Sequence, residues 1–553
     1  MFANPIMKKY LLSAGLFVVS VCAFGQALKT AAPHLEKQGT ATRLIVNDKP
    51  YLMIAGELHN SSTSNAAYMR PIWKQMADKH LNTVIAAASW ELVEPQQGKF
   101  DFTLVDSMVL GARKQGLHLV MIWFASWKNG TSTYAPVWVK NNADKYTYAK
   151  DAKGKTLETL STFGNATMQA DANAFKQLML HIKQIDEKYQ TVIMMQVENE
   201  SGLLRADRDH SDAANKAFDS PIPADLAKYL TGNKSSLAPE LYDIWKENGF
   251  KTTGNWETVF GKSDVKEKDW QHLSYYTEEL FMAYHYARYI GTVAAAGKSA
   301  YNIPMYVNAW LKQPDTPIPG RYPGGGSLPQ VIDMYRSAGP ALDFIAPDIY
   351  IPQFTWVLSQ FHRLGNPLMI PETKGGVLGA ARAFFAYGEH DAMCFSPFGI
   401  DGDYFNDEPL SNAYLVIDQL KELILKNQGK QTMRGILVDT ASKIQEFDFG
   451  SYHIAANIND KSAAAGGIMI QTGPDEFIVA SKSMNIIFSN KSAADPSHVA
   501  FEAIDEGTFK NGRWIAGRRL NGDEQLNAVF EGTGLKFAGK GYTIQHVKLY
   551  RFK

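Results

Sequence analysis

Short apolar runs alternate with helix-period segments through the first four-fifths of the chain. Eight runs read as strands: Tyr51–Ala55, Asn82–Ala88, His118–Phe124, Thr191–Val197, Pro304–Ala309, Asp343–Pro347, Pro367–Ile370 and Ala392–Ser396. They are near-continuously apolar, the signature of parallel strands buried on both faces. Between and after them fall helical patterns: Ala66–His80, Leu104–Gln115, Ala174–Tyr189, Glu278–Ala296, Leu328–Ser337, Thr355–Leu364, Gly379–Tyr387 and Asn412–Lys426. Eight strands alternating with eight helices predict a (β/α)8 barrel over residues 27–430. The connection after the fourth run, about 201–277, is long enough for an insertion over one end. From about Thr432 the texture changes to short alternating strands such as Lys443–Phe449, Tyr452–Asn457 and Glu476–Ala480, split by Gly, Asn and Asp turns. Residues 431–553 are therefore expected to form a β-sandwich, giving an α/β barrel followed by an all-β domain.

The N-terminus has its own pattern. Lys8-Lys9 precedes an apolar run, Tyr10–Phe24, with small residues after it. Residues 1–26 are expected to be a secretory signal, and the protein to be exported to a bacterial periplasm or cell surface. Val21 precedes Cys22, where a lipoprotein signal needs a small residue, so lipidation is the weaker reading. Past this segment only Cys394 remains, which leaves no intrachain disulfide and no cysteine metal site. No other run is apolar over the length of a membrane span. Lys+Arg equals Asp+Glu at 56 each, so no net charge draws the chain to nucleic acid. Ordinary globular composition, 45% hydrophobic and 20% charged, excludes wholesale disorder. No cofactor is expected. The histidines show no metal-ligand spacing, so no metal is expected either.

Barrel active sites form at the C-terminal ends of the strands. The fourth run ends Gln196-Val197-Glu198-Asn199-Glu200, and the seventh ends Pro371-Glu372-Thr373-Lys374. Charges at the ends of apolar strands carry a desolvation cost and call for a reason. Carboxylates projecting from opposite rims can approach each other. A pair ~5–5.5 Å apart is the geometry of retaining glycoside hydrolysis, one group attacking the anomeric carbon and the other exchanging protons. By strand alternation Glu198 and Glu200 share one face, unless the strand end bends.

Gln196–Gly202 together with Pro371-Glu372 resembles the barrel clan of retaining glycosidases with glutamates on strands four and seven. Gly56-Glu57-Leu58-His59, Trp90 through Glu94-Pro95 and Gly98-Lys99-Phe100-Asp101-Phe102 make the chain similar to glycoside hydrolase family 35, the β-galactosidases, over about residues 40–430. Within that family it resembles the bacterial type with an extra C-terminal β domain. The resemblance implies Glu200 as general acid/base, Glu372 as nucleophile and Asn199 as the partner of the sugar 2-hydroxyl. It also places Tyr350 like the tyrosine that donates to the nucleophile. Two positions depart from the family: Ala125-Ser126-Trp127 stands where it carries a sugar-holding Glu, and Ala86–Ala88 where it carries a Tyr. Glu57 or Glu91 is the candidate replacement.

Other rim residues have both a functional and a structural reading. Glu57, Trp127, Asn308 and Trp310 are substrate-contact candidates, the indoles as platforms for a sugar face. Trp90 shares that reading; for His59 a structural role is equally open. Glu198 is expected deeper in the barrel, bracing a neighbour, and Glu94 bracing its loop. Asp348 and Asp401 are rim acids without a role. Gly320–Gly326 shapes a cleft, lacking the ending of a phosphate loop. Trp514, Tyr542 and Phe552 pack in the β domain. The expected function is an exo-acting retaining β-glycosidase, a β-galactosidase taking terminal galactose from plant or host oligosaccharides such as xyloglucan fragments. The alternatives are a β-arabinopyranosidase, a β-glucosidase, or a barrel that only binds glycans. The expected partner is that oligosaccharide or polysaccharide, with no nucleic acid and no membrane span.

Overall fold

A computed structural model of the chain describes residue 1 and residues 30–553, apart from 264–269, 271–275, 403–406, 441, 460–462, 493, 521, 523 and 526–532. The expected signal segment lies outside the described residues. Eight parallel strands close into a barrel in chain order: β1 (Met53–Glu57), β2 (Thr83–Ser89), β3 (His118–Lys128), β4 (Val192–Asn199), β5 (Met305–Trp310), β6 (Phe344–Ile349), β7 (Ile370–Thr373) and β8 (Cys394–Pro397). Each apolar run of the sequence supplies one of them. Seven of the observed strands sit one to three residues further along than their runs, and β3 starts where its run does but extends four residues past it, to Lys128. Helices follow as the periodicity predicts, and among the described residues of the insertion four short ones form: Asp212–Asp219, Ala224–Gly232, Pro239–Glu247 and Trp256–Phe260. No described helix is long and apolar enough to cross a membrane.

Strand alternation divides the core in two. Leu52 and Ile54 face the surrounding helices, while Met53 and Ala55 join Ile85, Val120, Ile122, Phe124, Tyr306 and Phe344 in a separate cluster inside the barrel. Leu44 and Val46 belong to that inner cluster too. They come from an antiparallel meander, His34–Gln38, Ala41–Val46 and Lys49–Tyr51, which the sequence reading did not include. The meander thus closes the barrel floor, leaving only the strands' C-terminal end open.

Past the last barrel helix, Glu408–Asn427, the described residues form ten strands in two sheets. One has six strands in the order 433–439, 464–473, 476–481, 543–552, 498–510, 513–519, and the other has four, 444–449, 452–458, 484–490, 534–537. Between them pack Ile436, Val438, Tyr452, Ile454, Phe477, Val479, Ile486 and Phe488. The six-stranded sheet is covered on its other face as well. Ile468, Ile470, Ile478 and Ala480 belong to the core of the barrel's outer layer. The element they meet is the helix Gly376–His390, which starts directly after β7.

Small residues make that contact close. A Cβ on Gly466 would lie 2.2 Å from the Ala381 carbonyl oxygen, and one on Gly435 would lie 2.5 Å from that of Phe385. Glu389 accepts from the Arg434 guanidinium at 2.8 and 3.0 Å and from the Gly435 N–H at 3.1 Å. Backbone here meets backbone, so no side chain can yield. Gly466→Val is expected to lower stability by about 3 kcal/mol, in line with overpacking a rigid contact. Gly541→Ala, where nothing lies within 4 Å, is expected to change it by less than about 0.5 kcal/mol. Denaturant melts of both variants check this; equal midpoints would remove the close contact as a constraint.

Candidate active site

The end of β4 does not continue as a straight strand. Glu198 has φ 64° and Glu200 φ 44°, both left-handed. Non-glycine residues occupy that region at a cost of roughly 1–3 kcal/mol each, unless the surroundings fix them there. The bend cancels the alternation that would put the two glutamates on one face. Glu200 faces the barrel mouth, and Glu198 turns outward to the helix Asn165–Asp186. Several bonds hold the bend. The Glu200 N–H donates to Asn308 Oδ1 at 2.8 Å, and Gln196 Nε2 donates to the Glu198 carbonyl at 3.2 Å. Just beyond, Leu203 and Gly324 exchange backbone bonds of 2.9 Å, and Gly202 lies against Pro323. The Gly320–Gly326 loop thus backs the segment after Glu200, in keeping with its shape-giving reading.

Glu372 on β7 is in register with Asp348 on β6, so both side chains project from the same level into the mouth. Carboxylate oxygens of Glu200, Asp348 and Glu372 all lie within 4.8 Å of one another. Tyr350 donates its hydroxyl to Glu372 Oε2 at 2.8 Å. These groups line a cavity of about 400 Å³ with Asn60, Lys128, Asn129, Trp310, Gln313 and Phe398.

The electrostatics separate the two glutamates. Burial, then repulsion from Glu372, pushes the Glu200 carboxyl up to about 8, with Lys128 opposing. Burial also raises Glu372, but the Tyr350 hydroxyl and Lys128 both stabilise its charged form. Asp348 and Glu57 are held well above the carboxylate range, first by burial and then by the charge of Glu372. The set therefore favours a proton on Glu200 and a charge on Glu372. It is also the grouping of metal-ligand type among the described residues. Three carboxylate oxygens would suit a hard cation such as Mg²⁺ or Ca²⁺, supplying part of its six or more ligands.

The remaining candidates divide. Trp310 lines the cavity. Glu57 lies beneath it, 1% exposed, with Oε2 unpartnered by any protein group. Asn199 accepts at Oδ1 from Gln196 and Asn308 and donates to Asn129 Oδ1 at 3.1 Å. Asn308 has both amide atoms engaged, by Glu200, Asn199 and Asp348 (2.7 Å), so its place is beside the acids rather than toward a ligand. Trp127 is not at the cavity. It is fully buried against Tyr286 and Tyr289, and its indole N–H donates to the Leu160 carbonyl. A register shift after Trp123 turns this stretch of β3 out of alternation. Ser126 consequently bonds Asp171 and Tyr289. Trp90 is buried too, donating to Glu94, which also accepts from Gly98 N–H; Glu94 braces its loop. Asp401 accepts from both the backbone and the ring of His59. Glu91 lies off this cavity, lining a neighbouring one and paired with Lys140 at 3.7 Å. Tyr542 packs on Phe384 and Trp514 on Phe509, while Phe552 is 47% exposed. Sequence reasoning passed over Lys128 and Asn129. They lie just past the apolar run that marked β3, and counting the strand on to its next polar residues would have reached them.

Residues 61–263 match the model of glycoside hydrolase family 42, described as Beta-galactosidase, and residues 410–530 match DUF5597, a domain of unknown function. A Beta-galactosidase of Xanthomonas manihotis is 28% identical over 228 residues, covering 39% of this chain and 35% of that protein. The chain thus aligns with about a third of that relative's length. Among solved structures, the beta-galactosidase from the psychrophilic Marinomonas ef1 is similar at TM-score 0.44 and 13% identity, covering 67% of this chain and 60% of that one. That from Bacillus circulans sp. alkalophilus gives 0.44 and 15%, with 68% and 57% covered. The TIM barrel read from the sequence is the observed fold. The matching family model is family 42, whereas the motifs resembled family 35.

Holding a buried carboxyl protonated has a stability cost that can be measured without any substrate. The unfolded chain releases the Glu200 proton above its ordinary value of 4.5, whereas the folded one keeps it to about 8. Stability tied to this group is full below pH 4.5 and is lost as pH rises through 8. At pH 7 the loss is on the order of 3 kcal/mol. Glu200→Gln is therefore expected to melt at a higher temperature than wild type at pH 7, with the gap closing near pH 4. A gap independent of pH would refute the raised value.

Proposed function

We propose that the protein is an exo-acting β-glycosidase working by double displacement with retention, and that its sugar is galactose. The observation that carries this is the approach of the Glu200 and Glu372 carboxyl oxygens to within 4.8 Å. Retaining enzymes space their carboxyls by ~5–5.5 Å, and inverting ones by ~6.5–9.5 Å to admit a water. In this reading ionised Glu372 attacks the anomeric carbon while Glu200 gives its proton to the departing oxygen. The ester that forms removes the charge of Glu372. The repulsion that raised Glu200 falls with it, so Glu200, now ionised, becomes a base of lower affinity for protons. It takes a proton from water, whose oxygen attacks the anomeric carbon. Glu372 leaves as carboxylate, and the product keeps its β configuration. Tyr350 steadies Glu372 as an ion at the start and end of the cycle, and Trp310 offers an indole at the rim. A cavity that ends on the packed barrel interior suits removal of one terminal sugar.

Galactose is supported by the family model and by the Xanthomonas relative's name. A different sugar, arabinopyranose or glucose, is favoured by one feature. Ser126 faces Asp171, and Lys128 and Asn129 stand at the cavity instead of a strand-three glutamate. The proposed aglycone is a plant or host oligosaccharide, for instance a xyloglucan fragment, met after export by the signal of residues 1–26. Cell fractionation tests that location, and a panel of nitrophenyl glycosides tests the sugar.

The chemistry has sharper tests. The first product seen by NMR is expected to be the β-anomer, whereas an α-anomer would overturn double displacement. Glu372→Ala is expected to abolish turnover while the fold survives. Glu200→Ala is expected to cut kcat/KM on unactivated glycosides by about 10²–10⁴ and to do far less to a dinitrophenyl glycoside, which needs no acid. In the wild type, activity on unactivated substrates is expected to fall as pH rises through about 8, where Glu200 loses its proton. A flat profile to pH 10 would remove Glu200 from the acid role.

A further inference from the structure

Glu198 and Asp171 form a second acid pair, wholly buried and outside the cavity. Asp171 lies on the helix Asn165–Asp186, and Glu198 is two residues before Glu200. Their carboxyls are hydrogen-bonded to each other. Two carboxylates cannot share such a bond unless one holds a proton. The donors around them decide which. Asp171 Oδ1 accepts from the Trp123 indole N–H at 2.8 Å, and Oδ2 accepts from the Ser126 hydroxyl at 2.6 Å, with the Tyr289 hydroxyl at 3.4 Å. Glu198 Oε2 accepts from the Trp127 N–H at 2.7 Å. Glu198 also takes a backbone bond from Ser126, yet its Oε1 is buried without a hydrogen-bond partner. That oxygen is the one atom of the four with room for the proton, and Asp171 is the ion.

We propose that Glu198 is a positioning residue, its proton bridging to ionised Asp171 and thereby fixing the bent end of β4 that aims Glu200 at Glu372. The bridge ties the left-handed backbone at 198 to three elements: β3 through Trp123, Ser126 and Trp127, the helix Asn165–Asp186 through Asp171, and the helix Thr277–Ala300 through Tyr289. Ionising Glu198 as well would set two like charges in contact in a dry interior, where little screens them. Among the described residues, the groups whose charges bear on the pair include no cation to compensate. They are Tyr286 and Tyr289 from the helix Thr277–Ala300, Glu94 from the turn after β2, and Asp209, whose charge is felt at Tyr286. Severing the bridge frees the strained segment to relax, and Glu200 turns with it.

This inference rests on the reading of Glu200 as the acid/base, and its test separates the two. Glu198→Gln reproduces the protonated side chain: the amide oxygen accepts from Trp127, and the amide nitrogen donates to Asp171. Asp171→Asn does the opposite, setting an NH₂ against a ring of donors. The measurements are kcat and KM on an unactivated glycoside and on a dinitrophenyl glycoside, with thermal melts. Glu198→Gln is expected to keep kcat within about threefold of wild type and to leave the melting temperature unchanged. Asp171→Asn is expected to lower kcat at least tenfold and to melt several degrees lower, though it is equally isosteric. Glu198→Ala is expected to lower kcat on the unactivated glycoside at least tenfold with KM within about threefold, the mark of a misdirected acid rather than lost binding. The dinitrophenyl substrate is expected to suffer less. The reverse asymmetry, Asn tolerated at 171 and Gln rejected at 198, would overturn the proton's placement. Full kcat in a folded Glu198→Ala would overturn the positioning role and leave the glycosidase reading standing. A wild type inert on every glycoside would sink the glycosidase reading and the positioning role with it, while the asymmetry of the melts would still decide the proton's placement.

Discussion

Everything at the barrel mouth follows from crowding acids where water is scarce. Glu57, Glu200, Asp348 and Glu372 converge on one end of a packed barrel, and each is less than a tenth exposed. Lys128 is the cation whose charge reaches Glu57, Glu200 and Glu372. Four charges against one would repel strongly at these distances. The set must therefore hold protons, and the protein chooses where they sit through its neutral donors. Tyr350 gives a hydrogen to Glu372, and Asn308 gives one to Asp348. Glu200 donates its own N–H to Asn308, which stabilises the chain and not the carboxylate, and its carboxyl bonds another acid, Asp348, rather than a neutral donor. The difference in donors makes one glutamate an ion and the other an acid.

The scaffold keeps these groups at such a distance by over-determining the strands that bear them. β7 leads straight into the helix Gly376–His390, and that helix is trapped between the barrel and the six-stranded sheet. The contact is made by Gly435 and Gly466 against the helix backbone, so the helix has little freedom to shift. The C-terminal sandwich is thus mechanically continuous with the strand of Glu372. β4 is fixed from the other side, by the 201–206 segment bonded to the 319–326 loop and by the outward turn of Glu198. A strained backbone persists only when its neighbours leave it no alternative, and both neighbours here are extensive.

The barrel was legible because its strands are buried on both faces and write themselves as apolar runs. The helices wrote themselves in the 3.6-residue period, and the sandwich strands in the period of two. The N-terminal meander was missed since Leu44 and Val46 act as a plug, a tertiary role with no local period. Alternation also misled where backbone geometry broke it. The register shift in β3 turned Ser126 and Trp127 away from the cavity and brought Lys128 to it. The bend in β4 parted Glu198 from Glu200. A strand reading assumes extended backbone, and an active site is where extended backbone is given up. Asn308 illustrates a different limit: the sequence placed it at the mouth, but only its bonds show that its amide is spent on neighbouring acids.

Asp348 is the residue that sequence reasoning left without a part, and its surroundings suggest why it is there. Its Oδ2 takes a hydrogen from Asn308, its Oδ1 has no donor from the protein, and its carboxyl bonds that of Glu200. A bond between two acids persists through one proton and fails when both are gone. Glu200 therefore does not titrate as a lone group. In the proposed mechanism, the proton passed to a leaving oxygen comes from a shared set, whose loss depends on the charge of Glu372 a few ångströms away. In the proposed cycle, once Glu372 is esterified that charge is absent and every member of the set falls together. A divalent cation at the same three oxygens would neutralise them permanently and occupy the line of attack proposed for Glu372. Protons neutralise the same crowding and can be moved within one turnover, so the arrangement of donors around these acids fits a site whose counter-charge must come and go.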